Sequence, residues 1–323
     1  MKALGLLSGG LDSVLAFKLI LNQGIKAEAI KFVSPFFDDS FYAKNISEKF
    51  GIPLKIMYLG KEYLKLIKNP KHGYGSGMNP CIDCHVFMLK KAKQYAKKIK
   101  ADFIFTGDVL GERPMSQNMK ALNTIENETR LKNKILRPLS AKLLPETVAE
   151  KNGWVDRNKL LDIKGRSRKK QLELAKKFKI KIYASPGGGC LLTEKEFSAK
   201  LRDLIKHKKR INEKDIELLK IGRHFRFKNN KIIVGRNEKE NELLKKLRYE
   251  NDYLFEVSDY PSPLSVLQGP KTKEAIKKAS GLTVRYSDAK GKNVLVKYGK
   301  DLKKSLFARP VSGKIIEKMR IKS

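Results

Sequence analysis

Two sets of residues in this chain have the types and spacing to do chemistry. The first is Ser8-Gly9-Gly10-Leu11-Asp12-Ser13, placed between the apolar run of residues 3–7 and the helix-forming residues 14–21. A strand that ends in a glycine-rich turn and opens a helix gathers backbone N–H groups and the positive helix end onto one anion, so this segment is suited to phosphate. It lacks the Gly-Lys-Ser/Thr ending of a Walker loop and the Gly-x-Gly-x-x-Gly of a dinucleotide site. The second set is the three cysteines. Cys81 and Cys84 stand with two residues between them at an expected helix start, where the helix dipole favours thiolate and hence metal or nucleophile chemistry. Cys190 follows Gly187-Gly188-Gly189, a stretch that lets the backbone approach a partner closely. Three cysteines are too few for a disulfide framework, so all three are read as one shared metal or redox site. A structural zinc site would need a fourth ligand, for which His85 is adjacent.

The elements that position these residues alternate through the first 150 positions. Strands are expected at 3–7, 27–33, 54–58 and 103–106, and helices at 13–21, 41–50 and 86–98, with an insertion-like stretch before the last helix. That order predicts an α/β fold, a doubly wound parallel sheet with its ligand beyond the carboxyl ends of the strands. Both Ser8-Gly9-Gly10 and Thr106-Gly107-Asp108 fall at such ends. Residues 158–183 read as a helix and a short strand, opened by the basic run Arg166-Ser167-Arg168-Lys169-Lys170, and 194–209 as a lysine-rich helix. Beyond it the pattern changes to short β-type runs at 225–227, 231–235, 253–257, 282–286 and 293–298, interrupted by helices at 238–246 and 271–278. The composition shift, near 205–215, divides the chain into residues 1–160, a connecting segment 161–208 that bears Cys190, and a basic α+β domain over 209–323.

Charge supplies the partner class. The 323 residues carry a formal net charge of +36, of which +12 lies in residues 1–160 and +24 in 161–323. Such a surplus predicts a polyanionic partner. No run approaches the ~18–20 apolar residues of a membrane span, and the first residues lack a signal-peptide pattern, so a cytoplasmic protein is expected.

The turn at residues 8–13 resembles the PP-loop of ATP pyrophosphatases, which adenylate a substrate and release pyrophosphate. Asn79-Pro80-Cys81-Ile82-Asp83-Cys84, with the basic helix after it, resembles the segment of tRNA 2-thiouridylases that carries their catalytic cysteine, here Cys84. Thr106-Gly107, Leu110-Gly111 and Ser116-Gln117 are similar to the corresponding segment of tRNA 4-thiouridine synthases, and Ile135-Leu136-Arg137-Pro138-Leu139 to the strand end that follows it. These likenesses cover about residues 1–145. The 4-thiouridine synthases carry a THUMP domain ahead of the PP-loop, whereas this sequence opens at the loop. Val234-Gly235-Arg236-Asn237 followed by Asn241, with Phe225-Arg226-Phe227 before it, resembles the RNA-binding domain of NFACT proteins, which is expected to supply the grip on RNA instead.

The resemblance implies an ATP-dependent tRNA sulfurtransferase that adenylates a uridine and replaces its carbonyl oxygen with sulfur, 4-thiouridine ahead of 2-thiouridine. It implies ATP held by Ser8, Gly9, Gly10, Leu11, Asp12, Ser13, Phe32, Gly107 and Gln117, with Mg2+ offsetting phosphate charge. Cys84, Cys190 and Asp108 are the implied catalytic residues, and Arg113 would meet the tRNA or the adenylate. The tRNA contacts would be Arg223, Arg226, Arg236 and Asn237. Two sulfur routes remain open: Cys81, Cys84 and Cys190 could ligate a [4Fe-4S] cluster whose fourth iron binds hydrosulfide, or two cysteines could pass sulfur from a persulfide carrier and resolve it as a disulfide. A PP-loop ATPase acting on a small molecule, a thio-base desulfidase or an amide ligase, is the alternative enzyme, and a non-catalytic RNA-binding protein would not need the cysteines. A homodimer is an open alternative to a monomer.

Overall fold

The computed structural model of the chain describes residues 1–184, 190–289 and 291–322. Two compact units divide between Leu191 and Leu192, inside the segment 161–208 set apart above: Met1–Leu191 and Leu192–Ser323. The first unit runs β1 (Lys2–Leu6), α1 (Leu11–Leu21), β2 (Lys26–Val33), α2 (Ser40–Phe50), β3 (Leu54–Tyr58), α3 (Lys61–Lys68), α4 (Cys81–Lys98), β4 (Phe103–Phe105), α5 (Met119–Thr129), β5 (Ile135–Leu136), α6 (Val148–Lys151) and α7 (Lys169–Lys177). Its five strands lie in the order β3-β2-β1-β4-β5 and all pairs are parallel. The doubly wound sheet expected from the alternation is therefore present. Chain order reverses across β1, which pairs with β2 on one side and β4 on the other, and the crevice outside such a reversal is where open α/β sheets bind ligands.

α1 is apolar almost all round because it is enclosed: Leu11, Val14, Leu15, Phe17 and Ile20 are buried in a core that also takes Phe105, Leu139 and Ile163. The insertion-like stretch before the long helix contains α3 and the first turn of α4, so α4 starts at Cys81 rather than at the expected residue 86. Both cysteines of the pair thus sit in its first turn.

The second unit runs α8 (Lys195–His207), α9 (Glu213–Leu219), β6 (Arg223–Phe227), β7 (Asn230–Val234), α10 (Glu238–Leu247), β8 (Tyr253–Val257), β9 (Ser265–Gln268), α11 (Lys273–Arg285), β10 (Val294–Gly299), β11 (Lys304–Ala308) and α12 (Gly313–Met319). Six antiparallel strands form one sheet in the order β11-β10-β8-β9-β7-β6. One face packs Ile232, Val234, Phe255 and Leu267 against Ala275, Ala279 and Leu282 of α11. The other packs Ile233, Leu254 and Val266 against Leu218 of α9 and Leu244 of α10. Residues 282–286, expected as a strand, are helical up to Arg285: the β-branched Thr283 and Val284 suggest a strand locally, but Ala275, Ala279 and Leu282 share the helix face that the sheet buries. Among the described residues no helix is long and apolar enough to cross a membrane.

Candidate active site

The turn after β1 is held by its own side chains. Gly9 has φ +94°, a conformation other residues rarely adopt, and Gly10 caps α1. Ser8 Oγ accepts the Gly10 N–H at 3.2 Å and donates to Ser13 Oγ at 3.0 Å, and Ser13 Oγ donates to the Gly10 carbonyl at 2.8 Å. Lys31 reaches across from β2 and donates to the Ser8 carbonyl at 2.7 Å. Burial pushes the Lys31 pKa below its ordinary value, against the pull of Asp39 and Asp38. The loop after β4 lies directly on the first turn of α1: a Cβ on Gly107 would come within 2.5 Å of the Ser13 nitrogen. Leu11 and Phe32 are buried side chains, Leu11 in the core beneath the turn and Phe32 near the end of β2.

Asp12 faces this junction with one carboxylate oxygen unpartnered. Its Oδ1 is buried with no hydrogen-bond partner, and Oδ2 lies 4.0 Å from Nη2 of Arg168, whose Nε is also unpartnered. Burial raises the Asp12 pKa, and Arg168, then the Gln171 side chain and more weakly Arg113, oppose the rise. Glu112 is raised as well, by burial first and then by the Asp12 charge. Two carboxyls that resist ionisation together, with guanidinium groups near both, suit a magnesium–phosphate ligand: the unpartnered oxygen of Asp12 has the chemistry of a magnesium ligand and the guanidinium groups that of phosphate ligands.

Asp108 and Gln117 hold each other. Asp108 accepts from Thr106 Oγ1 at 2.8 Å and from Gln117 Nε2 at 3.0 Å, with Arg137 Nε at 3.8 Å, while Gln117 Oε1 accepts the Arg113 N–H at 3.0 Å. Burial would raise the Asp108 pKa, but His85, Arg137 and these hydrogen bonds keep it below its usual range. The pair fixes the loop that presents Gly107, Glu112 and Arg113.

The thiols gather at a second corner of the same unit. Cys84 is buried with its Sγ 3.0 Å from the hydroxyl of Tyr63, itself fully buried. The expected lowering of its pKa at a helix start is reversed: burial, together with the charges of Cys190 and Cys81, pushes Cys84 up to about 12, because desolvation outweighs the dipole. Cys81 is raised by burial, with Arg113 opposing. Burial raises the Tyr63 pKa well above its ordinary value, and Cys84, Cys190 and Cys81 add to the rise. The chain around Cys190 is pinned at both ends of its loop, by the Ala184 N–H on the Gly9 carbonyl at 2.8 Å and by the Leu191 N–H on the carbonyl of Phe36 at 3.0 Å. Phe36 in turn packs edge-on to Tyr63, with ring centroids 6.2 Å apart. Gly187, Gly188 and Gly189 lie outside the described residues. No disulfide joins the cysteines. They are iron ligands by type, but among the described residues no group of three His, Cys, Asp or Glu side chains is arranged to hold a metal ion.

In the second unit the motif residues are already engaged. Asn237 caps α10, its side chain accepting from the Glu240 N–H at 3.0 Å. Arg236 forks onto Glu240 with half its side chain exposed. A Cβ on Gly235 would strike Asn241 Oδ1 at 2.1 Å, and that oxygen accepts the Leu264 N–H at 3.0 Å. Arg226 grips Asp203 through Nε at 2.9 Å and Nη2 at 2.5 Å. Arg223 lies over the Tyr286 ring at 4.7 Å and donates to the Gly235 carbonyl at 3.3 Å.

Sequence reasoning missed Lys31, Tyr63 and Glu112. A lysine inside the buried strand Ala-Ile-Lys-Phe-Val was a usable signal for the first; Tyr63 carries no pattern beyond helical spacing.

A parallel sheet with a Ser-Gly-Gly-x-Asp-Ser turn at its topological reversal defines a PP-loop nucleotide-binding domain, followed here by an antiparallel-sheet domain. Residues 1–143 match the family model described as thiamine biosynthesis protein (ThiI), and residues 222–319 match that described as NFACT protein RNA binding domain. The chain thus carries a ThiI PP-loop domain and a domain of the NFACT RNA-binding type. It is 31% identical over 144 residues, 43% of this chain and 34% of the relative, to a probable tRNA sulfurtransferase of Lysinibacillus sphaericus (strain C3-41). It is 33% identical over 127 residues, 35% of this chain and 32% of the relative, to the tRNA-specific 2-thiouridylase MnmA of Karelsulcia muelleri (strain GWSS). The chain therefore spans about a third of the length of these relatives. A 4-thiouridine synthetase solved with RNA and bound ATP is 23% identical, with a TM-score of 0.35, over 54% of this chain and 50% of that one.

Proposed function

We propose that the chain is an ATP-dependent tRNA sulfurtransferase that converts a uridine, through its 4-carbonyl oxygen, to thiouridine. The observation that carries this reading is the backbone link between the two sites: Ala184 N–H bonds the Gly9 carbonyl of the phosphate turn at 2.8 Å, and Leu191 N–H, next to Cys190, bonds the carbonyl of Phe36, whose ring packs on the Tyr63 that touches Cys84. A nucleotide-activating site and a sulfur site tied together through one chain segment suit a reaction that activates a carbonyl oxygen and then delivers sulfur to the carbon that bears it. The uridine oxygen attacks the α-phosphate and pyrophosphate leaves; sulfur then attacks the same carbon and AMP leaves with the oxygen. Without adenylation that oxygen is a very poor leaving group.

Ser8, Gly9, Gly10 and Ser13 would hold phosphate oxygens, Asp12 with Glu112 would hold Mg2+, and Arg113 and Arg168 would balance charge on the phosphate being transferred. Gln117 and Asp108 brace the loop that carries Arg113. Cys81, Cys84 and Cys190 would have to draw together from the arrangement described to hold a [4Fe-4S] cluster, which when bound supplies an iron able to carry hydrosulfide. The part of the connecting segment up to Leu191, which bears Cys190, would complete this site, and residues 209–323 would bind the tRNA, with half-exposed Arg236 the motif residue open to RNA.

Measuring iron in anaerobically purified protein and in its C81A, C84A and C190A variants, alongside tRNA thiolation, tests the sulfur chemistry. Iron near four per chain, lost in each variant together with activity, is the expected result. An iron-free parent that still thiolates tRNA would replace the cluster by a persulfide route, and C81A retaining activity would do the same.

A further inference from the structure

The second sheet is covered unevenly, and its uncovered part has the chemistry of an RNA contact. On the face where α9 and α10 pack, the buried cluster includes Ile233, Leu254, Leu264 and Val266 but no residue of β10 or β11. α11 covers those two strands from the opposite face, through Val294, Val296 and Ala308. The side chains that alternate with these point away from α11. Phe307 on β11 is paired in register with Leu295 on β10, and Lys297 stands one pair further along the same face. Phe307 is 69% exposed, level with Phe41 as the most exposed of the large hydrophobic side chains. Lys297 is exposed too, as are Lys303 and Arg309 at the two ends of β11. Glu256, opposite Lys297 on β8, is the acid on this face.

A lone exposed aromatic is ordinarily unremarked surface. Here it stands on an open sheet face, among cations, in the half of the chain that holds +24 of the net charge. We infer that the open face of β10 and β11 is a stacking platform for an unpaired RNA base, with Phe307 under the base and Lys297 and Arg309 on the flanking phosphates. Base–aromatic stacking tolerates any sequence because every base has a π-face, and flanking cations track the backbone. The same charges disfavour an apolar protein strand adding to the β11 edge, where lysine is a common guard. This inference rests on the RNA-binding reading above and names the surface that performs it.

The test uses the full chain with three probes: unmodified tRNA, single-stranded oligoadenylate and a blunt RNA duplex. F307A should bind oligoadenylate about tenfold more weakly with an unchanged salt slope, while duplex affinity stays put. F307W should restore affinity, and its added indole emission should be quenched by oligoadenylate. K297A should lower the salt slope for all three probes. Parent-like oligoadenylate binding by F307A, or equal losses on single-stranded and duplex probes, would overturn the stacking platform while leaving RNA binding intact. A parent chain that binds none of the three would overturn the RNA-binding reading itself, and the platform with it.

Discussion

The two units differ in whether buried charge is left without a hydrogen-bond partner. In the first, Asp12 Oδ1 and Arg168 Nε are buried without hydrogen-bond partners beside the phosphate turn, although Arg137 is spent on Glu126 and Asp108, and Arg157 on Glu150. In the second, the comparable charges are spent internally: Arg226 on Asp203, Lys208 on Asp215, and Arg236 on Glu240. An unsatisfied buried polar group costs about 1–3 kcal/mol. Two charged groups left this way face each other at the phosphate turn, whereas among the described residues of the second unit the unpartnered buried atoms, His224 Nδ1, Ser258 Oγ and Ser280 Oγ, belong to neutral side chains, so capacity to bond a charged ligand is left in the first. The lesson concerns motifs. Ser-Gly-Gly-x-Asp-Ser and, more weakly, Val-Gly-Arg-Asn-x-x-x-Asn read as binding signatures in sequence, and the second motif mainly builds a strand-to-helix turn.

The contrast breaks first if Asp12 is expendable. D12N should cut AMP and pyrophosphate formation by about a thousandfold, since the group faces developing phosphate charge, yet leave tRNA affinity within a few-fold. Parallel loss of both in an AMP-release assay and a tRNA-binding titration would show that the division between the units is wrong. R226A should do the reverse, lowering stability by about 2–3 kcal/mol in denaturant unfolding because it strands the partly buried Asp203. ATP turnover per folded molecule should not change.

Lys231 sharpens the comparison through pH. Burial lowers its pKa to about 7, with Asp203 and Asp215 opposing and Arg226 and Lys200 reinforcing the shift. The unfolded chain binds this proton up to about 10.5, so between about 7 and 10.5 it holds more protons than the folded chain and stability rises with pH. K231M should remove that rise and stabilise the chain by about 1–2 kcal/mol near neutral pH, as measured by melting across a pH series. The smallest effect belongs to R236A. It should weaken tRNA binding about threefold and cost under about 1 kcal/mol of stability, because a half-exposed pair contributes little.

The sequence was most legible where local and global demands agree. β3 and β8 fall on the expected bounds because apolar strands bounded by turns leave little choice. The phosphate turn was readable because its glycines answer a backbone need. The second unit was harder. β9 and β11 are short and polar enough to pass for loop, and Thr283 and Val284 look like strand until Ala275, Ala279 and Leu282 are seen on one helix face. The state of the thiols was not legible at all: whether Cys84 is a ready thiolate depends on burial against Tyr63, more than twenty positions away, and no spacing rule carries that.

The central claim is that adenylation and sulfur transfer meet on one uridine. Incubating the full chain anaerobically with ATP, magnesium, unmodified tRNA and sulfide, then digesting the tRNA for nucleoside mass spectrometry, addresses it most directly. The account predicts thiouridine accumulating in step with AMP and pyrophosphate, and none of it in D12N. AMP and pyrophosphate released with the tRNA unchanged, and at the same rate without tRNA, would contradict it and point to a small-molecule substrate.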